Sequence, residues 1–228
     1  MAGLVLLDFD GTIAIEDTTD GILEHFANPG WRVIEAEWEA QRIGSRECMS
    51  RQIDLIRASK RQLDRFIEEV HVDCGFIPFV EACVAARFQV AIVSDGLDYI
   101  VHGVMARTGV NLPIAANKLE HAGGDRWRLG FPFARASCMS ASGNCKCAYG
   151  VSPGPRVLVG DGRSDFCAAG AADYVFAKGR LRVHCEETGI AHAPIADLTE
   201  ATQLFKAWHR QLSQMMEEAS GQARIGHA

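Results

Sequence analysis

The sequence predicts an α/β protein: a Rossmann-like, doubly wound parallel sheet with a small helical bundle inserted into it. Three observations carry this. Four short apolar runs, at 4–7, 89–93, 156–159 and 174–177, each close on a small or polar residue. Continuous apolar runs of that length suit strands buried on both faces of a parallel sheet. Helical stretches separate them, which is the βαβ alternation of a doubly wound fold. The 84 positions from Asp10 to Ser94 far exceed the roughly 30 residues of a βαβ unit, so an extra segment is inserted there.

The elements follow in order. After the first strand, residues 16–72 contain no strand-like run, and apolar residues recur at helical spacing, as in Val33, Ile34, Trp38 and Met49, Ile53, Ile56. This gives helices over 17–26, 31–42, 45–58 and 60–70, broken at Asn28-Pro29-Gly30 and Gly44. The expected division is a core of residues 1–15 and 73–228, interrupted by a helical cap at 16–72. Beyond it come a helix over 78–87, the strand 89–93 and a helix over 97–108. Between 113 and 132, Gly123-Gly124-Asp125 separates two partly alternating segments and predicts a β-hairpin. Helices over 164–171 and 181–188 accompany the last two strands. An amphipathic helix over 198–216 leads into a polar tail, 217–228, expected to fray.

Composition narrows the function. With 48% hydrophobic and 23% charged residues, the chain has ordinary globular usage rather than a disordered one. Twenty-three basic against 29 acidic residues give a net charge of −6, which argues against a broad nucleic-acid surface. No apolar run approaches a membrane span, and the first ten residues have no basic n-region. The expectation is a cytoplasmic protein, with no membrane or nucleic-acid partner, whose eight cysteines are reduced. No feature sets an oligomeric state.

The sharpest chemical signal is Asp8-Phe9-Asp10-Gly11-Thr12, directly after the first strand. Carboxyl ends of parallel strands are where α/β sheets place ligands. Two acids there repel unless a cation or a proton relieves them, and a hard cation such as Mg²⁺ suits carboxylate oxygens. A second acidic cluster, Gly160-Asp161-Gly162-Arg163-Ser164-Asp165, follows the strand at 156–159. Between the two clusters come Ser94, at a strand end with Gly96 two positions on, and Lys146. A hydroxyl, backbone amides and an ammonium together suit a phosphate.

These four motifs, in this order, resemble the signature of the haloacid dehalogenase superfamily: Asp8 to Thr12, Val93-Ser94-Asp95-Gly96, Lys146, and Gly160 to Asp165. The resemblance implies a phosphatase that forms an aspartyl-phosphate intermediate, with Asp8 as nucleophile and Asp10 as general acid and base. It places Ser94, Asp95 and Lys146 at the phosphate. It places Mg²⁺ on Asp8, the main-chain carbonyl of Asp10, and Asp161, with Asp165 supporting the metal. The helical insertion resembles the C1-type cap of the phosphoserine phosphatase-like subgroup. The similarity is nearest to bacterial 2-hydroxy-3-keto-5-methylthiopentenyl-1-phosphate phosphatases of methionine salvage, and the substrate implied is a small phosphorylated metabolite. Asp17 falls where phosphoserine phosphatases carry a substrate-binding Glu. Ile53 falls where they carry the Arg that holds the substrate's carboxylate, so a less charged phosphomonoester is expected, with Arg51 pointing into the cleft.

Two other readings stay open: a phosphotransferase or mutase of the same superfamily, and a non-catalytic phospho-acceptor module. Asp95 stands where the family often has Gly, so its carboxylate either faces the phosphate or turns away. Cys138, Cys145 and Cys147 invite a structural metal reading with His121, but their spacing lacks the paired C-x₂-C knuckles of common zinc sites and favours buried or loop thiols. Cys48, Cys74, Cys83, Cys167 and Cys185 read as core. Trp31 and Trp38, seven apart on one helix, read first as packing, with shaping of the substrate pocket under the cap as the second reading.

Overall fold

The computed structural model describes residues 3–138, 141–149 and 152–225, with the side chains of the last helix described as far as Met215. Seven strands form one sheet: β1 (Leu4–Leu7), β2 (Gln89–Leu97), β3 (Ile114–Gly123), β4 (Arg126–Gly130), β5 (Arg156–Gly160), β6 (Tyr174–Ala177) and β7 (His192–Pro194). Their order is β4-β3-β2-β1-β5-β6-β7. Every pairing is parallel except the antiparallel β3–β4 hairpin at one edge.

The apolar runs of the central strands alternate between two buried clusters. Val5, Leu7, Val90, Ile92, Val157, Val159 and Phe176 face one way. Leu4, Leu6, Ala91, Val93, Leu158, Val175 and Ala177 face the other. The first face is covered by α5 (Phe76–Ala85), α6 (Asp98–Thr108) and α9 (Leu198–Ile225). The second is covered by α7 (Phe166–Ala169) and α8 (Gly179–Thr188). Helices on both faces are what makes continuous apolar strands stable, and the doubly wound expectation holds.

Between β1 and α5 lie α1 (Thr18–Phe26), α2 (Trp31–Glu39), α3 (Ser45–Ile53) and α4 (Lys60–Glu69). The chain enters and leaves this segment through one antiparallel contact. Ala14 bridges Val72, Ile15 N donates to the His71 carbonyl at 2.9 Å, and Asp73 N donates to the Ile13 carbonyl at 2.9 Å. The buried Asp73 carboxylate in turn accepts from Gly75 N at 2.8 Å and Leu198 N at 3.2 Å, which pins the crossing to the start of α9. The four helices share one apolar cluster with the sheet. Arg107 of α6 donates to the carbonyls of Ile67 and Val70, and Trp127 of β4 donates to the Ala58 carbonyl at 2.8 Å.

Several boundaries differ from the sequence expectation for local reasons. The second helix stops at Glu39 rather than 42, because Gln41 takes a positive φ of 58°, which ends an α-helix. The third stops at Ile53, not 58. The expected helix over 164–171 is a 3-10 turn, Arg163–Asp165, followed by four α-helical residues. Asp165 accepts there from the backbone N–H groups of Asp161 and Gly162, both at 3.2 Å, and tightens the turn. The last helix continues to Ile225, through most of the tail expected to fray; residues 226–228 lie outside the described part. Cys74, expected in the core, is exposed. No helix among the described residues is long and apolar enough to cross a membrane.

Candidate active site

The acids meet where adjacent strands end. β1 lies between β2 and β5, so the residues after Leu7, Val93 and Gly160 converge on one end of the sheet. Asp8 follows β1, is 4% exposed, and accepts from Phe9 N through Oδ1 at 2.8 Å. The Lys146 ammonium, 1% exposed, lies 2.6 Å from Asp8 Oδ1 and 2.8 Å from Asp165 Oδ1. Carboxylate oxygens of Asp8, Asp161 and Asp165 all fall within 4.8 Å of one another.

Asp10 is turned away from that trio. Its Oδ1 accepts from the Thr18 hydroxyl at 2.6 Å and from Thr18 N at 2.9 Å, at the start of α1. Its Oδ2 lies 3.5 Å from Ser94 Oγ, and that hydroxyl accepts from Gly96 N at 2.9 Å. Ser94 and Asp95 sit where the β2–β3 register shifts, between Val93 and Leu97. Such irregularities re-aim side chains at strand ends.

Burial dominates the electrostatics. It lifts Asp8 well above the usual carboxylate range, Asp165 and Asp161 add to the lift, and Lys146 opposes them. Burial, with help from Asp17, raises Asp10 to about 7 against the pull of the Thr18 hydrogen bonds. Burial and Asp165 raise Asp161 to about 6. For Lys146 burial alone would favour the neutral amine, but Asp165 and Asp8 outweigh it and hold the ammonium charged.

The chemistry of the donor set fits Mg²⁺. All donors are carboxylate oxygens, which such a hard cation prefers, and three acids against one lysine leave negative charge to neutralise. The backbone has been kept small around them. A Cβ on Gly11, whose φ is +66°, would meet Asp161 Oδ2 at 2.4 Å, and one on Gly160 would meet Asp165 Oδ2 at 2.4 Å. One on Gly96 would meet Asp10 Oδ2 at 2.2 Å. Asp165 has both oxygens engaged, by Lys146 and by two backbone N–H groups, so Asp8 and Asp161 are the freer donors. The Asp10 carboxylate belongs to Thr18 rather than to this cluster.

Residues 5–170 match the family model for haloacid dehalogenase-like hydrolases. The chain belongs to that family. It is 29% identical over 213 residues to a 2-hydroxy-3-keto-5-methylthiopentenyl-1-phosphate phosphatase from Exiguobacterium, covering 90% of this chain and 98% of the relative. It is 30% identical over 210 residues to a protein of the same name from Geobacillus kaustophilus, covering 88% and 95%. Among solved structures, a substrate-bound phosphoserine phosphatase superposes with a TM-score of 0.67 at 18% identity, covering 90% of this chain and 98% of that one. The chain is accordingly a phosphatase of the haloacid dehalogenase-like family, and the non-catalytic alternative is set aside.

Above the acids, this family member has a cavity of about 480 Å³. Its floor is Asp8, Asp10, Ser94 and Asp161, with Lys146 and Asp165 buried beneath. One wall comes from α3, where Ser45, Cys48, Met49 and Gln52 share a helical face, and another from Trp31, Glu35, Trp38 and Glu39 of α2. Asp17, which caps α1 by accepting from Asp20 N at 2.9 Å, also lines it, as do Thr19 and Asp20. The helical segment is tied to the core across the mouth. Arg163 lies over the Trp38 ring at 4.6 Å, and Arg46 N donates to the Ala141 carbonyl at 3.1 Å.

Three sequence expectations change here. Arg51 does not line the cavity: its guanidinium pairs with Glu37 at 2.6 Å and Glu47 at 3.5 Å on the outer surface. Ile53 is buried in the apolar core, so it says nothing about the substrate. Asp95 borders the cavity, but its carboxylate is taken by structural donors: Ser45 Oγ at 2.7 Å, Asn144 N at 2.8 Å and Asn117 Nδ2 at 3.0 Å. It ties α3 to the end of β2 rather than facing a phosphate, whose charge it would repel. Trp31 and Trp38, for which packing was the first expectation and shaping of the substrate pocket the second, both line the cavity. Sequence reading missed Thr18, the partner of Asp10; its place at the start of the first helix was the available signal.

Proposed function

We propose that the chain hydrolyses a small phosphomonoester through an aspartyl-phosphate intermediate, with Asp8 as nucleophile. The carrying observation is the setting of Asp8: a buried carboxylate held by Lys146 at 2.6 Å, at the floor of a cavity large enough for a metabolite. Asp8, the main-chain carbonyl of Asp10 and Asp161 would hold Mg²⁺, with Asp165 supporting the site through Lys146 and the backbone; when bound the cation would neutralise charge on the transferring phosphoryl group. Asp8 attacks phosphorus while Lys146 holds its carboxylate in position. The Ser94 hydroxyl, held by Gly96 N at 2.9 Å, offers its hydrogen to a phosphate oxygen. Asp10, at about 7, carries a proton for the departing alkoxide near neutrality, then takes one from the water that hydrolyses the acyl phosphate. Residues 16–72 act as the cap that encloses the substrate.

The substrate we infer has an uncharged, partly apolar tail, as in 2-hydroxy-3-keto-5-methylthiopentenyl 1-phosphate. Trp31, Trp38 and Met49 supply apolar wall, and aromatic rings accept thioether contacts. Thr19 Oγ1 is buried without a partner, a hydroxyl ready for a substrate oxygen. A second carboxylate would face Asp17, Asp20, Glu35 and Glu39, and the two lining arginines are already engaged, Arg163 on Trp38 and Arg180 near Glu39. Phosphoserine is therefore disfavoured. The test is phosphate release from a panel of phosphorylated metabolites with Mg²⁺, scored by kcat/KM. The methylthiopentenyl phosphate should lead and phosphoserine should trail; a preference for phosphoserine overturns the substrate assignment. Phosphate appearing on an added alcohol instead of in solution would favour the phosphotransferase.

A further inference from the structure

The groups assigned to the phosphoryl group come from the ends of β1, β2 and β5 and from Lys146, which belongs to none of those strands. Lys146 lies on the chain between the β3–β4 hairpin and β5, and the residues just before it dock that chain onto the sheet. Ser142, Asn144, Cys145 and Lys146 are all at most 5% exposed, although serine, asparagine and lysine are ordinarily surface residues. The Asn144 amide grips two strands at once. Its Nδ2 donates to the Ser94 carbonyl of β2 at 2.9 Å and to the Ala115 carbonyl of β3 at 2.7 Å. Asn144 N donates to Asp95 Oδ1 at 2.8 Å.

These bonds fall where the sheet is irregular. The register of β2 on β3 shifts between Val93 and Leu97, and Ser94 sits inside that break. A side-chain amide has two N–H donors and can bridge carbonyls of adjacent strands, which holds the Ser94 peptide at a fixed angle. The carbonyl and the hydroxyl of Ser94 share one Cα, so gripping the first directs the second. Gly96 N holds the same hydroxyl oxygen from the other side, at 2.9 Å. Both donors of the Asn144 amide are used, while its Oδ1 is buried without a partner among the described residues. A buried acceptor without a partner costs stability, and an apolar side chain kept only for packing would avoid that cost. The segment is also kept thin beside the network: a Cβ on Gly143 would meet Asn117 Oδ1 at 2.6 Å.

We propose that Asn144 is a positioning residue of the phosphate site, which aims the Ser94 hydroxyl at the phosphoryl group by holding the Ser94 carbonyl. The inference rests on the phosphatase reading, in which Ser94 donates to a phosphate oxygen. Asn144 does not line the cavity, so it acts through Ser94 and not on the substrate. Without its Nδ2 the Ser94 peptide is free to turn, and a hydrogen bond weakens steeply once its donor is misdirected. Lys146 keeps its own ion pairs with Asp8 and Asp165 when the amide is lost, so the effect falls on Ser94.

The test is a double-mutant cycle in the whole chain, read as the KI of inorganic phosphate against hydrolysis of a phosphomonoester at saturating Mg²⁺. Ser94→Ala deletes a hydrogen bond to a charged group and should raise KI by about tenfold or more. Asn144→Ala should raise KI by about fivefold in the wild type and by less than about twofold in the Ser94→Ala background, because residues that act through one another are not additive. Asn144→Asp keeps the size of the side chain but has at most one donor in place of two. It should raise KI as Asn144→Ala does, and it completes the cycle if the alanine variant does not fold. Thr202→Val removes a buried hydrogen bond to the Leu198 carbonyl on α9 and should lower Tm with KI unchanged, which separates positioning from general destabilisation. An Asn144→Ala effect that is the same with and without the Ser94 hydroxyl, or a wild-type KI in Asn144→Asp, would overturn the proposal. A KI raised by Ser94→Ala but not by Asn144→Ala overturns the proposal alone. A KI unchanged by Ser94→Ala overturns the reading of Ser94 as well.

Discussion

Replacing Lys146 by Met removes one positive charge from between two buried carboxylates while keeping most of the side chain's volume. The substitution breaks two ion pairs, 2.6 Å to Asp8 and 2.8 Å to Asp165, at a residue only 1% exposed. Breaking a buried pair by deleting one partner costs about 3–5 kcal/mol, against about 0–1 kcal/mol for a surface pair. In a chain of this size each kcal/mol moves Tm by about 2–4 °C, so the metal-free variant should melt roughly 6–20 °C below the wild type at pH 8. The deficit should shrink at pH 5, where one of the stranded carboxyls binds a proton and the repulsion disappears. Mg²⁺ should also recover part of it, because the cation takes over the neutralising role. Calorimetry at the two pH values, with and without Mg²⁺, reads all of this. A destabilisation below about 1 kcal/mol in metal-free protein at pH 8 would refute the buried ion pair.

Other expectations follow from the same geometry. The Thr18 hydroxyl donates to the charged form of Asp10, and such a bond is worth about 1.5–3 kcal/mol, with one pK unit per about 1.4 kcal/mol. Thr18→Val should therefore move the basic limb of the kcat/KM profile from near 7 upward by roughly one to two units; a limb that stays put separates Asp10 from the proton transfer. Asp10 and Asp161 hold protons to about 7 and about 6 in the folded chain, against 3.8 unfolded. The native state thus binds more protons between pH 4 and 7, and metal-free stability in urea should fall as pH rises through that window. A rise there would contradict the burial of these acids. Arg51→Ala should change kcat/KM by less than about fivefold, within the range of an exposed ion pair; a large rise in KM would return Arg51 to the cleft. Asp95→Ala should raise KM for substrate more than it lowers kcat, since it releases Ser45 and α3; an equal effect on both would give Asp95 a role in the chemical step.

The parts of the fold legible in the sequence are those with local signatures. β1, β5 and β6 are apolar runs buried on both faces, and the two-glycine turn at 123–124, with φ of +100° and +62°, marks the β3–β4 hairpin. The acids after β1 and β5 can be placed because strand ends converge in a parallel sheet. β7, three residues long, has no pattern to read. The Asp95 network is hidden for another reason: its partners Ser45, Asn117 and Asn144 lie 22 to 50 residues away, and only packing brings them together. Arg51 and Ile53 illustrate the same limit. The helix is foreseeable, but one turn of rotation decides that Ser45, Cys48, Met49 and Gln52 face the cavity instead.

The central claim is that Asp8 carries the phosphoryl group. The direct measurement is a rapid acid quench of the Mg²⁺-bound enzyme during turnover, followed by peptide mapping by mass spectrometry. A single phosphoryl group on the side chain of Asp8, absent from Asp8→Asn together with all activity, is the result expected. Phosphorylation at another residue, or phosphate release that persists in Asp8→Asn, would contradict it.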